Sequence, residues 1–386
     1  MYTLKTLNKI APVGLLRLPG DHIQLNNDSA APDAVLVRSV SMHDMPMADN
    51  LLCIARAGAG VNNIPVADCS TRGIVVFNTP GANANAVREL TLCALFLSSR
   101  DVFGGISWAR GLSGDDVPAQ VEKGKSAFAG PEILGKTLGV IGLGAIGVGV
   151  ANAAHHLGMK VLGYDPYISI DAAWGLSHNV TRAIDIRQIF AESDYITIHV
   201  PYIPETKAML ADMFGQVKPG VRVINFARGE LIDTDTMLAA LADGTVSRYV
   251  TDFPNEKLLS SPNVVPIPHL GASTPESEDN CAVMAVSELS DYLLHGNIKN
   301  SVNFPDVDLP ASAGYRVCVI HKNIPNMLSQ IAASLSESGL NIENMLSKSK
   351  KEFAYTMLEL TDLPGTAAID RLRAQEGILR VRLIKM

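Results

Sequence analysis

Three residues of the sequence carry side chains suited to moving a proton and gripping a carboxylate, and each lies in a stretch punctuated by glycine or proline. They are Arg228 in Asn225-Phe226-Ala227-Arg228-Gly229, Glu256 in Thr251-Asp252-Phe253-Pro254-Asn255-Glu256-Lys257, and His269 after Pro266-Ile267-Pro268. Imidazole changes charge near neutral pH, and a proline-rich lead-in would hold the ring in place. Glu256, a little upstream, could hydrogen-bond that imidazole, stabilise its charged form and set its tautomer. The planar guanidinium fork of Arg228 matches a carboxylate and would polarise a neighbouring carbonyl. Taken singly, each has an ordinary explanation: a structural histidine, a surface salt-bridge arginine, a loop acid. Together they describe acid–base chemistry on an anionic substrate.

Such a set needs a scaffold, and the scaffold is legible around Gly142-Leu143-Gly144-Ala145-Ile146-Gly147. This segment follows the apolar run Leu138 to Ile141 and opens a helix-like stretch through His155, the strand-turn-helix setting in which G-x-G-x-x-G binds a dinucleotide. Gly142 permits the tight turn, Gly144 lets backbone approach a pyrophosphate, Gly147 allows close helix–strand packing, and the helix N-terminus supplies amides and dipole. Asp165 ends the next strand, where a carboxylate accepts from a ribose 2′-hydroxyl and repels a 2′-phosphate, which favours NAD over NADP. The competing explanation is a buried glycine turn with Asp165 as a helix cap.

From Ala34 onward, short apolar runs alternate with helix-like stretches, the pattern of parallel strands joined by crossover helices. Strands are predicted at Ala34 to Val37, Leu52 to Ala55, Val75 to Phe77, Leu138 to Ile141, Lys160 to Tyr164, Tyr195 to His199, Val221 to Asn225 and Val264 to Pro266. Their sequences are apolar throughout, as strands covered on both faces should be. Asn85 to Ser99 reads as a long, mainly apolar helix buried between domains. Trp108 to Pro131 is polar and aperiodic, and is expected to be an irregular arm that contacts another subunit. Asn, Pro and Asp cluster from Asn297 to Ala313 and mark a boundary. Beyond it, strand (Tyr315 to Ile320), helix (Pro325 to Ser338), two strands (Ile342 to Lys348, Ala354 to Glu359), helix (Thr366 to Gln375) and strand (Leu379 to Ile384) spell a split β-α-β sandwich.

The fold class is therefore α/β, with two doubly wound, Rossmann-like parallel-sheet domains and a small C-terminal α+β domain. The expected boundaries are residues 1–85 and 272–303 for the substrate domain, 86–271 for the dinucleotide domain, 304–313 for a linker and 314–386 for the C-terminal domain. The chain has 386 residues, 47% of them hydrophobic and 18% charged, so it can bury sizeable cores. A net charge of -7 with no long basic run argues against nucleic acid. Five cysteines without a C-x-x-C pair support neither a disulfide framework nor a zinc cage, and no metal is expected. The N-terminus lacks the order of a signal peptide, so a cytoplasmic, non-membrane protein is expected. Thr137 to Ala154 is uncharged, but its glycines belong to the dinucleotide turn.

Taken together, the glycine fingerprint, His199-Val200-Pro201 to Thr206 (H-x-P-x-x-x-x-T), Asn225 to Gly229 (N-x-A-R-G) and Pro268-His269-Leu270-Gly271 (P-H-x-G) resemble the D-isomer-specific 2-hydroxyacid dehydrogenases. Arg56-Ala57-Gly58-Ala59-Gly60-Val61-Asn62-Asn63 and Asn78-Thr79-Pro80-Gly81 are similar to that family's substrate-domain loops, so the resemblance covers essentially the whole chain. It implies NAD-linked oxidation of a 2-hydroxy acid by Arg228, Glu256 and His269. It implies cofactor contacts at Gly142, Gly144, Ala145, Ile146, Gly147, Asp165, Val200, Pro201, Thr206, Phe226, Ala227, Arg228, Asp252, His269 and Gly271. The family usually carries D-V-F-x-x-E-P, whereas here the acid Asp252 directly precedes Phe253. That shift leaves the spacing of Glu256 from Phe253 intact. His199 reads as structural or cofactor-adjacent.

The C-terminal segment resembles an ACT regulatory domain through His321-Lys322-Asn323-Ile324-Pro325-Asn326 and Gly339-Leu340-Asn341-Ile342, with Asn326 in place of a usual glycine. The resemblance implies a phosphorylated substrate, 3-phospho-D-glycerate, with Arg38, Arg56, Ala57, Gly58, Asn83 and Lys125 around it, Lys125 reaching from a second subunit. It also implies an amino-acid effector held at an interface by His321, Asn323 and Asn341, with a ligand-free dimerisation module as the alternative, in a homodimer or homotetramer. The rivals are another D-2-hydroxyacid dehydrogenase, such as a glyoxylate or hydroxypyruvate reductase, and an NAD-sensing binding protein of the same fold.

Overall fold

The computed structural model describes residues 1–310 and 314–386, the side chain of Ala208 excepted, so the end of the expected linker lies outside the described residues. Two compact units emerge: Ala84–Thr274, and Met1–Asn83 together with Pro275–Met386.

In Ala84–Thr274 seven parallel strands run in the order Val264–Pro266, Val246–Thr251, Val221–Asn225, Tyr195–Ile198, Thr137–Ile141, Lys160–Tyr164, Thr181–Arg182. Leu138, Val140, Ile141, Ile196, Ile198, Val223, Ile224 and Val250 are all buried, as a parallel sheet covered by helices on both faces requires. Successive strands are laid down first to one side of Thr137–Ile141 and then to the other. The carboxyl ends of Thr137–Ile141 and Tyr195–Ile198 therefore flank the switch point, where open α/β sheets bind ligands. The helix Ala84–Ser99 forms as expected but buries a stripe rather than its whole circumference, leaving Phe96 exposed.

The expected irregular arm is largely helical: Val102–Arg110, Val117–Gly124 and a 3₁₀ turn at Lys125–Phe128, with no buried residue among them. Helical periodicity shows in a sequence only when one face meets a core, and these helices meet none within their own unit. Tyr2–Thr6, Ile23–Leu25, Thr181–Arg182 and Val246–Thr251 are strands that the sequence reading missed. Tyr2–Thr6 buries only Leu4, and Ser247 and Arg248 interrupt the apolar run of Val246–Thr251, so neither carried a clear pattern.

In the other unit five parallel strands run Ile23–Leu25, Tyr2–Thr6, Ala34–Val37, Cys53–Arg56, Val75–Phe77, with a second switch point between Tyr2–Thr6 and Ala34–Val37. Helix Pro275–His295 packs Ala282, Ala285, Leu289, Tyr292 and Leu293 into one cluster with Leu4, Leu36, Ala55 and Phe77. Phe304 and Val307 are fully buried in that cluster, so residues assigned to a linker from 304 belong to the core instead. Asn303 fastens this stretch, accepting from the Val76 amide and donating to the Ile74 carbonyl, each at 2.9 Å.

The C-terminal sheet is antiparallel, in the order Ile342–Lys350, Phe353–Leu360, Tyr315–Lys322, Ile378–Lys385. Alternation along one strand splits its side chains between two faces. Val317 and Val319 face the helices Met327–Ser336 and Thr366–Arg373, while Cys318 and Ile320 join the cluster containing Leu4 and Phe77. Two buried arginines complete the contact by donating to the last carbonyls of Pro275–His295, groups that a helix cannot satisfy itself. Arg382 reaches Tyr292 O at 2.9 Å and Leu293 O at 2.8 Å, and Arg316 reaches His295 O at 2.7 Å. The expected separate domain is thus docked on the substrate sheet.

Candidate active site

The glycines at the switch point of the seven-stranded sheet divide by function. Gly142 has φ +90, and a Cβ there would stand 2.5 Å from the His199 carbonyl, while one at Gly147 would strike the Gly142 carbonyl. Both are demanded by the chain's own backbone. A Cβ at Gly144 would meet nothing within 4 Å, so the protein itself does not require this glycine. The open space before the helix Ala145–His156 suits a pyrophosphate, and the residues fit a dinucleotide. Asp165 accepts from the Leu143 amide at 2.9 Å and the Tyr167 amide at 2.8 Å, which ties the glycine loop to the next strand. A carboxylate has roughly four acceptor positions, so ribose hydroxyls can still be received.

Thr206 donates to the Pro201 carbonyl at 2.6 Å and accepts from the Ile203 amide at 3.0 Å, closing the loop that carries Val200 and Pro201. His199 is enclosed by the protein. Its enclosed ring is pushed down to about 4 by burial, and Nε2 sits 3.0 Å from Thr197 Oγ1.

Arg228 follows the strand Val221–Asn225 and is oriented by a residue whose importance spacing did not reveal. Fully buried Asn225 donates to the Arg228 carbonyl at 2.9 Å and accepts from the Ala227 amide at 3.1 Å, so the loop through Phe226 cannot drift. A completely buried asparagine at a strand end is the signal that would have marked it. A Cβ at Gly229 would lie 3.0 Å from Phe253 Cβ, and the Phe253 and His269 rings meet edge-on at 4.7 Å. Three loops thereby converge on His269.

The expected Glu256–His269 hydrogen bond is absent among the described residues. Glu256 is exposed in the first turn of Glu256–Leu259, a turn capped by Asn255 Oδ1 on the Leu258 amide at 3.0 Å. The carboxylate that senses His269 is Asp252, 2% exposed. Burial raises it above the usual carboxylate range, while His269, the Gly271 amide and Arg228 pull it back. Its Oδ1 is buried with no partner, an acceptor left for a donor that a ligand would bring.

The expected substrate residues Arg38, Arg56, Ala57, Gly58 and Asn83 fall in the unit of the five-stranded sheet, Arg38 directly after a strand that borders its switch point. Lys125 lies in the other unit, its ammonium paired with Glu122 on its own arm. In the C-terminal domain, His321 and Asn323 line a cavity of about 370 Å³ with Asn326, Ser347 and Lys348. Asn326 adopts φ +68, a left-handed conformation asparagine tolerates, so it keeps the geometry of the glycine it replaces. Both ring nitrogens of His321 are engaged internally, at 2.8 Å from Lys322 O and 2.9 Å from Thr356 Oγ1. Asn341 is not brought to them. It precedes Ile342, paired with Leu360 at the far end of the sheet from the His321–Ala354 pair. No cluster of metal-ligating residues occurs among the described residues, and no single helix there is long and apolar enough to cross a membrane.

Comparison with known proteins agrees with this geometry. The sequence profile of the D-isomer specific 2-hydroxyacid dehydrogenase NAD binding domain matches residues 106–271. The chain is 33% identical over 369 residues to D-3-phosphoglycerate dehydrogenase 1 of Saccharomyces cerevisiae, spanning 87% of this chain and 74% of that one. It is 31% identical over 354 residues to the D-3-phosphoglycerate dehydrogenase of Escherichia coli, spanning 87% and 82%. NAD⁺-bound 3-phosphoglycerate dehydrogenase of Entamoeba histolytica superposes with a TM-score of 0.62 at 26% identity, over 78% of this chain and 98% of that one. Rhodotorula graminis D-mandelate dehydrogenase shares the fold, with a TM-score of 0.66 at 21% identity over 81% and 99%. With a glycine loop shaped for a dinucleotide, and with Arg228, Asp252 and His269 following neighbouring strands at the carboxyl end of the same parallel sheet, the chain belongs to the D-isomer-specific 2-hydroxyacid dehydrogenases and is an NAD-linked oxidoreductase.

Proposed function

We propose that the chain interconverts 3-phospho-D-glycerate and 3-phosphohydroxypyruvate, the entry step of serine synthesis. The observation that carries this reading is the pair of arginines at the carboxyl ends of neighbouring strands of the five-stranded sheet, Ala34–Val37 and Cys53–Arg56, where Arg56 Nε donates to the Arg38 carbonyl at 3.0 Å. Two such cations suit a substrate with a second anionic group besides its carboxylate, and the similar proteins are named for a phosphorylated one. NAD accepts the hydride from C2. Neutral His269 takes the hydroxyl proton, Arg228 orients the substrate carboxylate, and Asp252 stabilises the imidazolium that forms. Catalytic hydrogen bonds often tighten only with substrate bound, and we assign Glu256 that later role.

We further infer that Ala57, Gly58 and Asn83 add backbone contacts to the phosphate, and that Lys125 reaches it from a second copy. The arm that carries Lys125 supports a homo-oligomer, since Phe103 is 68% exposed on a helix that buries nothing. All five cysteines are free thiols, which suits a reducing cytoplasm. An effector site using His321, Asn323 and Asn341 requires two copies of the C-terminal domain, because one copy holds Asn341 apart. The deciding experiment is steady-state reduction of phosphorylated and unphosphorylated 2-oxo acids with NADH and with NADPH. Strong preference for 3-phosphohydroxypyruvate and NADH is expected. Equal kcat/KM for hydroxypyruvate or glyoxylate overturns the substrate, and binding of NADH without turnover of any oxo acid favours a cofactor-sensing protein.

A further inference from the structure

The arginine pair in the substrate unit carries a resident counter-ion. Arg38 Nη2 lies 2.7 Å from Glu278 Oε1, with the two side chains 38% and 43% exposed. The turn beneath Arg38 is rigid, because Asn8 Oδ1 accepts from three successive amides, those of Arg38, Ser39 and Val40, at 3.1, 3.1 and 3.2 Å. Arg56 is bound to that turn through the Arg38 carbonyl, and its guanidinium fills the space where a side chain at residue 58 would stand, beside Gly58 at φ +152. Glu278 belongs to the first turn of Pro275–His295, where the helix dipole favours a carboxylate. Arg38 thus has its own counter-ion on the helix that follows the other unit.

We propose that Glu278 is a specificity-determining residue of this anion subsite: it occupies the edge of Arg38 that a substrate phosphate takes, and the phosphate must displace it. The proposal rests on the reading of Arg38 and Arg56 as the phosphate subsite. A half-exposed ion pair contributes little, so a phosphate dianion that takes the guanidinium fork bidentately displaces the carboxylate readily. An uncharged hydroxymethyl group offers Arg38 nothing in exchange and leaves the pair closed. The carboxylate thus grades substrates by terminal charge, at the cost of some affinity for the phosphorylated one.

The test is steady-state reduction of 3-phosphohydroxypyruvate and hydroxypyruvate by NADH, using the full chain and its Glu278→Gln and Arg38→Met variants. Glu278→Gln keeps the shape and removes the charge. Its KM for the phosphorylated substrate is expected to fall roughly twofold to fivefold, with kcat unchanged and hydroxypyruvate KM the same as the parent's. Inorganic phosphate should inhibit the variant at correspondingly lower concentration, and Glu278→Asp should restore parental behaviour. An unchanged or raised KM for the phosphorylated substrate in Glu278→Gln, while Arg38→Met raises it, overturns the proposal and leaves the phosphate subsite intact. If Arg38→Met does not change that KM, the phosphate subsite itself is refuted and the role of Glu278 with it.

Discussion

Replacing Arg316 by methionine tests whether the C-terminal domain is a built-in clamp on the substrate unit. Arg316 is completely buried and lies 2.5 Å from Glu359 Oε1, itself nearly buried. The same guanidinium donates to His295 O and Pro310 O, each at 2.7 Å. Methionine fills much of the volume but removes the cation paired with Glu359, whose other oxygen is held by Asn344 Nδ2 at 2.8 Å, and it leaves the last carbonyl of Pro275–His295 without this donor. Removing one partner of a buried pair costs roughly 3–5 kcal/mol, and the orphaned carbonyls push toward the upper end. For a unit of this size that corresponds to a melting shift on the order of 10–15 °C. Far-UV circular dichroism is the suitable probe, because Trp108 and Trp174 both lie in Ala84–Thr274 and indole emission does not report on the affected unit. Arg316→Met/Glu359→Leu should recover most of the loss, since an apolar pair replaces the ion pair at little cost. A destabilisation under about 1 kcal/mol, or a double variant no more stable than Arg316→Met, would refute the clamp.

Five further outcomes follow from the same structure. His269→Asn should abolish turnover while NADH binding persists, and Asp252→Asn should move the pH dependence of oxo-acid reduction to lower pH, because the imidazolium loses its buried carboxylate; an unchanged profile removes Asp252 from the proton chemistry. Asp165→Ser should raise kcat/KM with NADPH relative to NADH by relieving repulsion of a 2′-phosphate, and an unaltered ratio assigns cofactor choice elsewhere. Glu288 is buried with Oε2 unpartnered, Oε1 accepting from Asn300 at 2.7 Å, and burial pushes it up to about 8 from 4.5. A raised carboxylate means the folded state holds a proton that the unfolded state releases, so stability falls as pH rises from about 4.5 to 8, and Glu288→Gln should flatten that decline in denaturant titrations. L-Serine should inhibit the parent but neither Asn323→Ala nor Asn341→Ala if the effector site spans two copies, and indifference of the parent leaves the domain structural. Removing the C-terminal domain would not isolate this effect, because it strips Cys318, Ile320, Tyr355, Met357 and Ile384 from the core of the substrate unit.

Much of this molecule was legible in the amino-acid order because the features concerned are local. The glycine turn from Gly142 to Gly147, the apolar strands such as Val221–Asn225 and the six elements of the C-terminal domain each follow from periodicity or backbone conformation within a few residues. The residue types proposed for the chemistry, Arg228 and His269 among them, were also chosen from motif and context. What only the tertiary structure decided are relations between distant segments. These include the buried face of Asp252 toward His269, the exposure of Glu256, the counter-ion that Glu278 provides to Arg38, the separation of Asn341 from His321 and the capping of Pro275–His295 by Arg316 and Arg382. Side-chain identity sets what a group can do, but burial and partner set whether it is charged and what it touches. Those depend on packing among segments that no local pattern encodes.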